Sequence, residues 1–354
     1  MFAHGLTSAF LHVIGLSMSF KILLIGSAAA IACASASRAA DAIVTSEPEP
    51  VEYIRVCDAY GTGYFAIPGT ETCLRISGYV RVQERFGRDE SEPSDWSFWS
   101  RAQVTLSSKS DTEWGTLTGV ITLRQEAENS SEFAPTLDEG YIDIAGLRAG
   151  MFYSWWDDDP SGETDVVASN ETNHNSIRYQ YEGDVVTAGV SLDELEDEYD
   201  TKPGEGPNDL GIAAQVSFKS GIYSGYLLGG YDTDTAEGAI RAIVYADLGP
   251  GQLGLYGVWA SGANYYYEES EWTVGAQYVY QATDKLMFIP GAQYFEKVEL
   301  DADGDGFSGG NAWTAGVTVN YKIVENLATR LSLQYHNQED DDQVEGFLRF
   351  QRDF

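Results

Sequence analysis

The sequence predicts an all-β protein, a single transmembrane antiparallel barrel of 16 strands with short turns at one end and long loops at the other. Three observations carry that expectation. Apolar and polar residues alternate through most of the chain, as in strands with two unlike faces. The gaps between alternating segments are long and short by turns, as in an up-and-down meander with working loops at one end only. The polar faces carry full charges, among them Arg81, Arg101, Arg124, Glu139 and Asp143, opposite apolar faces. A soluble barrel buries its apolar face inward, whereas a membrane barrel turns that face to lipid and lines its bore with the polar one.

Residues 1–40 read as an export signal. In MSFKILLIGSAAAIACASASRAADA a Lys precedes an apolar run from Ile22 and then small residues, with cleavage expected after Ala40 and a competing site after Ala36. Met18 is the better start, because residues 1–17 carry no basic n-region. The apolar run from Ile22 to Ala34 is short of the roughly 20 residues a spanning helix needs, which argues against a membrane anchor. Cys33 stands as in a lipoprotein signal, but Ala rather than Leu precedes it at the diagnostic position.

The charge excludes one class of function. With 55 acidic and 21 basic residues the chain carries −34, and removing residues 1–40 takes away Lys21 and Arg38 and no acid. Nucleic acid is not an expected partner, since phosphate contacts need clustered Lys and Arg. Tyr 22, Phe 15, Trp 8 and Gly 37 suit strands and turns. After the signal comes a segment, 41–73, that holds the two remaining cysteines, Cys57 and Cys73. An even cysteine count in an exported chain points to one disulfide, with two free thiols as the alternative.

The barrel proper is expected over 74–354. In LRISGYVRVQERF the residues Leu74, Ile76, Gly78, Val80 and Val82 alternate with Arg75, Ser77, Tyr79, Arg81 and Gln83. The same split runs through FWSRAQVTLSSK, LGIAAQVSFK, EWTVGAQYVYQ, NAWTAGVTVNYK and ATRLSLQYHNQ. The template predicts strands at 74–86, 97–108, 113–125, 136–145, 147–154, 176–182, 184–192, 210–219, 221–231, 236–246, 252–261, 271–281, 285–296, 311–321, 327–337 and 343–354. A ring of that many strands is too wide for side chains to fill, so its interior is expected to be a water channel. Aromatics at segment ends, Trp155, Trp156, Tyr265 to Tyr267, Trp272, Trp313, Phe350 and Phe354, are expected to form the interfacial girdles. Gly78, Ala102, Gly119 and Gly140 make parts of the apolar face small, as close approach of another barrel requires and as strands merely tolerant of glycine also allow.

The chain ends QVEGFLRFQRDF, with the alternation running to the last residue. A loose terminus is usually polar. The last strand must pair with the first, because lipid cannot satisfy an open edge. Phe354 then belongs to the ladder, and a terminal aromatic is also the tag that barrel-assembly machinery reads; Arg352 stands where a second apolar residue is often found.

The stretch EPVEYIRVCDAYGTGYFAIPGTETCLRISGYVRVQERFG, Glu49 to Gly87, resembles the N-terminal signature of the alpha-proteobacterial outer-membrane porin family, through its two cysteines, AYGTGYF, IPGTETCLRI and GYVR. The SRAADA junction and the FQRDF ending resemble that family too, and GLRAGMFYSWWD resembles its fifth strand leading into a pore loop. The resemblance implies a homotrimeric diffusion porin of the bacterial outer membrane, with the third loop folded into the channel. It also implies a Cys57–Cys73 bond near the periplasmic end.

On that reading the third long gap, Trp155 to Asn175, is the candidate constriction. It holds Asp157, Asp158, Asp159, Glu163, Asp165 and Glu171 and no Lys or Arg. Folded inward, it would face Arg75, Arg81, Arg101 and Arg124 on the early strands. Opposed rows of charge set up a transverse field, and the excess of acid predicts a weak preference for cations. The other reading of the acidic run is a solvated surface loop. DADGDGFSGGNA offers Asp301, Asp303 and Asp305 in calcium-loop spacing, but Ala312 stands where a bidentate Glu is required. Weak divalent binding that bridges lipopolysaccharide is therefore the most it predicts, beside an ordinary surface loop. The NSS at Asn129 and the NET at Asn170 read as loop chemistry. No cofactor motif and no enzyme signature stands out: the serines show no nucleophile motif to pair with His174 or His336. The competing function is a structural or adhesive outer-membrane barrel with an occluded lumen.

Overall fold

A computed structural model describes residues 55–354 apart from 89, 91–93, 129–133, 170, 196–208, 303, 305 and 339–340. The expected signal, Met18, Asn129, Asn170, Asp303 and Asp305 lie outside the described residues. The strands are β1 (Phe65–Ala66), β2 (Cys73–Phe86), β3 (Trp96–Thr112), β4 (Gly115–Glu128), β5 (Thr136–Ile144), β6 (Leu147–Tyr153), β7 (Asn173–Glu182), β8 (Val186–Leu195) and β9 (Asp209–Ser220). They continue as β10 (Tyr223–Asp232), β11 (Gly238–Leu248), β12 (Gly251–Ala260), β13 (Trp272–Gln281), β14 (Leu286–Leu300), β15 (Phe307–Val324), β16 (Leu327–Gln338) and β17 (Asp341–Asp353). Each strand from β2 on pairs antiparallel with its neighbours in sequence, and β17 returns to β2. The result is a closed 16-strand barrel, to which β1 adds a two-residue patch on β2.

The two faces of the wall are inverted relative to a soluble protein. Ile76 and Val80 are 50% exposed on the outside, whereas Gln83 is 2% and Thr122 0% exposed on the inside. The backbone reason is that a spanning segment must satisfy every N–H and C=O internally, and a closed ladder does so without an edge.

Closure is completed by the last residue. The β17–β2 register runs from Gly346 opposite Phe86 to Asp353 opposite Tyr79. The Phe354 N–H then donates to the Gly78 carbonyl at 3.0 Å, and the Gly78 N–H donates to the Phe354 carbonyl at 3.1 Å. The Phe354 ring folds against Gly78, where a Cβ would stand 2.9 Å from the ring's Cζ and 2.1 Å from the Gln103 carbonyl oxygen. Any side chain at Gly78 would therefore push apart the seam that the terminus closes.

Cys57 and Cys73 are joined, with their Cα atoms 6.2 Å apart. Cys73 opens β2, so the bond ties the segment before it to the short-turn mouth of the barrel. There Tyr64 is buried, shares a hydrogen bond of 2.7 Å with the Ser107 hydroxyl, and lies under the Arg75 guanidinium at 5.1 Å.

Two expectations need correction. Trp155, Trp156 and Tyr265 to Tyr267 are not girdle residues: they are buried inside the barrel in one cluster with Leu195, Tyr256 and Val258. Residues at a strand end can turn out to the interface or in to the bore, and strand rhythm does not distinguish the two. Trp272, Trp313, Phe350 and Phe354 are exposed, as girdle residues are. The long gap expected after β14 shrinks to 301–306, because β14 and β15 keep pairing across a bulge between Glu296 and Glu299. Lys297 and Gly310 take positive φ there, 58° and 73°, which shifts the alternation and hides the extra ladder.

Deleting Phe354 leaves two groups of Gly78 without partners, each a loss of about 1–3 kcal/mol. The truncated chain is expected to yield less heat-modifiable folded barrel, and a lower urea midpoint for what folds, than the full chain. An equal midpoint would show that the seam does not need its final residue.

Candidate functional site: the inward loop and the arginine wall

The longest described connection, 154–172 between β6 and β7, folds into the barrel. It starts with a 3₁₀ turn, Trp155–Asp157, capped by the Ser154 hydroxyl accepting from the Trp156 N–H at 3.2 Å. Buried Arg241 of β11 donates to the carbonyls of Trp155, Trp156, Asp158 and Val167 at 2.6–3.1 Å. Further along the wall, Gln277 of β13 accepts from the Gly162 N–H at 2.9 Å. Gln293 of β14 brackets Val166, accepting from its N–H and donating to its carbonyl, both at 2.8 Å. Thr314 of β15 donates to the Thr164 carbonyl at 3.1 Å. The polar inner face of β11 to β15 thus gives the loop backbone the partners that a sheet or water would otherwise provide.

A second loop, 261–271 between β12 and β13, also turns inward and buttresses the first. The Tyr265 N–H donates to Asp232 at 3.1 Å, the Tyr266 hydroxyl donates to Asp193 at 2.8 Å, and the Ser169 N–H donates to the Tyr266 carbonyl at 3.0 Å. The sequence reading missed this loop. The signal was present in three consecutive tyrosines, far more aromatic surface than an exposed loop tip carries.

Opposite stands a wall of arginines on neighbouring strands. Arg81 pairs in register with Arg101 across β2 and β3, and Arg330 with Arg349 across β16 and β17. Each is fixed through its Nε: Arg81 to Gln351 at 2.8 Å, Arg349 to Gln83 at 2.6 Å, Arg330 to Asn320 at 2.7 Å and Arg101 to Glu126 at 2.5 Å. Fixing one edge of a guanidinium preorganises the rest of its fork. Glu163 on the loop reaches this wall, pairing with Arg330 and lying 3.9 Å from Arg349.

The expected residues fall in several separate places. Arg81, Arg101 and Glu163 are brought together at this wall, with Arg330 and Arg349 beside them. Those last two are legible in the sequence as inward positions of alternating strands. Arg124 stands on β4, paired with Asp138 at 2.8 Å and donating to the Tyr153 hydroxyl oxygen at 2.8 Å, whereas Arg75 lies at the short-turn mouth over Tyr64. Asp157, Asp158 and Asp159 are exposed at the loop's neck, with Asp157 accepting from the Thr172 hydroxyl at 2.7 Å. Asp165 lies on the returning limb with a buried Oδ1 that has no hydrogen-bond partner among the described residues. Asp301, the described member of the calcium-like trio, accepts from the Gly304 N–H at 3.0 Å within its own turn.

His174, Ser176 and Asp193 come together on β7 and β8 without the connectivity of a nucleophilic triad. The Ser176 hydroxyl donates to Asp193 at 2.8 Å and lies 2.8 Å from His174 Nδ1, all three buried. In a triad the imidazole takes the hydroxyl proton and the carboxylate orients the far ring nitrogen. Here the serine bridges the two, and the cluster serves the wall.

A closed barrel, apolar outside and polar within, with a loop tied across its bore, defines an outer-membrane channel protein. The comparisons give the particular family. The model described as the porin subfamily matches residues 41–351, and the chain belongs to that family. Outer membrane protein IIIA of Rhizobium leguminosarum bv. viciae is 48% identical over 347 residues, covering 94% of this chain and 93% of that protein. Porin Omp2b of Brucella suis is 31% identical over 386 residues, covering 95% of this chain and 100% of that one. The trimer form of OmpT, an outer membrane protein of Vibrio cholerae, shares the fold at a TM-score of 0.60, covering 80% of this chain and 100% of that one at 12% identity. The chain is an outer-membrane porin.

Burial first, and then the charges of Asp159 and Glu163, push the Asp165 carboxyl up to about 8. A raised carboxyl holds its proton more tightly folded than unfolded, so its ionisation opposes folding. Its contribution is expected to favour the packed loop most at low pH, to fall as pH rises from about 4 to about 8, and to stay flat above. Amide protection in 160–168, taken relative to the intrinsic exchange rate at each pH, should fall across that window in the native protein and stay level in Asp165→Asn; equal protection profiles would place the titrating group elsewhere.

Proposed function

We propose that the protein is a passive diffusion porin for small hydrophilic solutes and ions, with a weak preference for cations, and that its constriction lies between the inward loop and the arginine wall. The observation that carries this reading is the set of ties from Arg241, Gln277, Gln293 and Thr314 to the loop backbone. They hold the loop in the bore, so a solute crossing the barrel must pass it. Asp157, Asp158, Asp159 and Glu163 form the acidic side, and Arg81, Arg101, Arg330 and Arg349 the basic side. Arg124 extends the basic side along β4, Arg75 lines the approach from the short-turn mouth, and Asp165 supports the loop from behind. Charges of opposite sign on facing walls orient dipolar solutes and penalise apolar ones, while the acid excess of the chain attracts cations.

The working unit in this reading is a homotrimer. The small outward residues Ala102, Gly119 and Gly140 lie on β3 to β5, where another barrel could approach closely, whereas Gly78 is covered by the Phe354 ring; the OmpT neighbour was solved in a trimer form. Lipopolysaccharide surrounds the long-loop rim, and the assembly machinery reads Phe354. The channel performs no chemistry.

Replacing Asp157, Asp158 and Asp159 by Asn is expected to move the reversal potential in a salt gradient away from cation preference, at near-native conductance. An unchanged reversal potential would place these carboxylates outside the constriction. A correctly folded protein that passes no current in a planar bilayer would favour the occluded barrel instead.

A further inference from the structure

Arg241 is fully buried at 0% exposure, so its charge meets no solute in the bore. Its guanidinium is nevertheless used more completely than that of any arginine on the facing wall. Nη1 donates to the Trp156 carbonyl at 2.8 Å and the Val167 carbonyl at 3.1 Å; Nη2 donates to Trp155 at 2.6 Å and Asp158 at 2.7 Å. These acceptors come from both limbs of the inward loop, the outgoing turn at 155–158 and the returning limb at 167. The group therefore closes the loop's neck, immediately beside Asp157, Asp158 and Asp159. Trp156 and Tyr226 flank it, with ring centres 5.0 and 5.4 Å from the guanidinium carbon, and the Tyr226 hydroxyl adds a bond of 2.6 Å to the Asp158 carbonyl.

We infer that Arg241 is the positioning residue of the constriction: its planar fork gathers four backbone carbonyls and so fixes how far the loop's carboxylates stand from the arginine wall. This rests on the constriction lying at that loop. The other ties from the wall to the loop backbone, from Gln277, Gln293 and Thr314, are neutral, and charge-assisted hydrogen bonds are the stronger kind; the Glu163–Arg330 pair is charged but holds a side chain beyond the neck. A lysine would keep the charge but present a compact ammonium in place of a fixed fork. It could not span carbonyls drawn from two limbs.

Arg241→Lys is the deciding variant, with Arg241→Gln as the more severe one. Each is reconstituted as the full chain, and barrel formation is checked by heat-modifiable mobility. Open-channel current noise and reversal potential in a potassium chloride gradient are then recorded, beside amide exchange in 155–167. The Lys variant is expected to fold, to exchange faster than native across that segment, and to show noisier currents with a reversal potential moved toward zero. Native exchange, noise and reversal potential in the Lys variant would overturn the inference, because charge without the fork would then suffice. Amide exchange reads the clamp without any current. Slow native exchange that accelerates in the Lys variant supports the clamp even if neither protein conducts, and in that case only the channel reading fails.

Discussion

The structure depends on one constraint: a backbone crossing lipid has nowhere to place an unmade hydrogen bond. Closing the sheet removes its edges, and β17 accordingly returns to β2 and continues through Phe354 to Gly78. Closure in turn fixes the faces. Once lipid surrounds the wall, Ile76, Val80 and Ile121 belong outside, and Gln83, Thr122 and Thr318 inside. A bore lined that way is wide, wet and rich in donors and acceptors.

Such a bore is a good host for irregular backbone. Non-repetitive chain at membrane depth survives only where protein or water satisfies it, and the inner face of β11 to β15 supplies Arg241, Gln277, Gln293 and Thr314 for that purpose. Two loops use it. Loop 154–172 crosses toward the arginines, and loop 261–271 packs behind it with Tyr265 to Tyr267 in the gap. The lumen is therefore asymmetric, filled on the side of β8 to β13 and charged and open along β16, β17, β2 and β3. On that charged side Glu163 meets Arg330 and Arg349.

Much of this was legible in the sequence because period-two alternation is a direct imprint of a two-faced strand. The register of Arg81 with Arg101 follows from inward parity once β2 and β3 are hairpin neighbours. The role of Phe354 followed from an alternation that never stopped. What the sequence hid were choices made after the strands end. Trp155 and Tyr266 sit where girdle residues sit, and only the opposite wall decides that they turn inward. Arg241 reads as one more inward charge of an ordinary strand; its four partners are carbonyls, which no side-chain pattern reveals. The extension of β14 past Lys297 was masked by a bulge that breaks the very rhythm used to find strands.

The most direct measurement of the central claim is a nitroxide scan along β4, residue by residue from Thr118 to Gln125, in reconstituted bilayers. Labels at Gly119, Ile121 and Leu123 are expected to be relaxed by oxygen dissolved in lipid, and labels at Val120, Thr122 and Arg124 by a water-soluble paramagnet. The opposite phase, or no alternation, would contradict it, because the apolar face would then not be the one that meets the membrane.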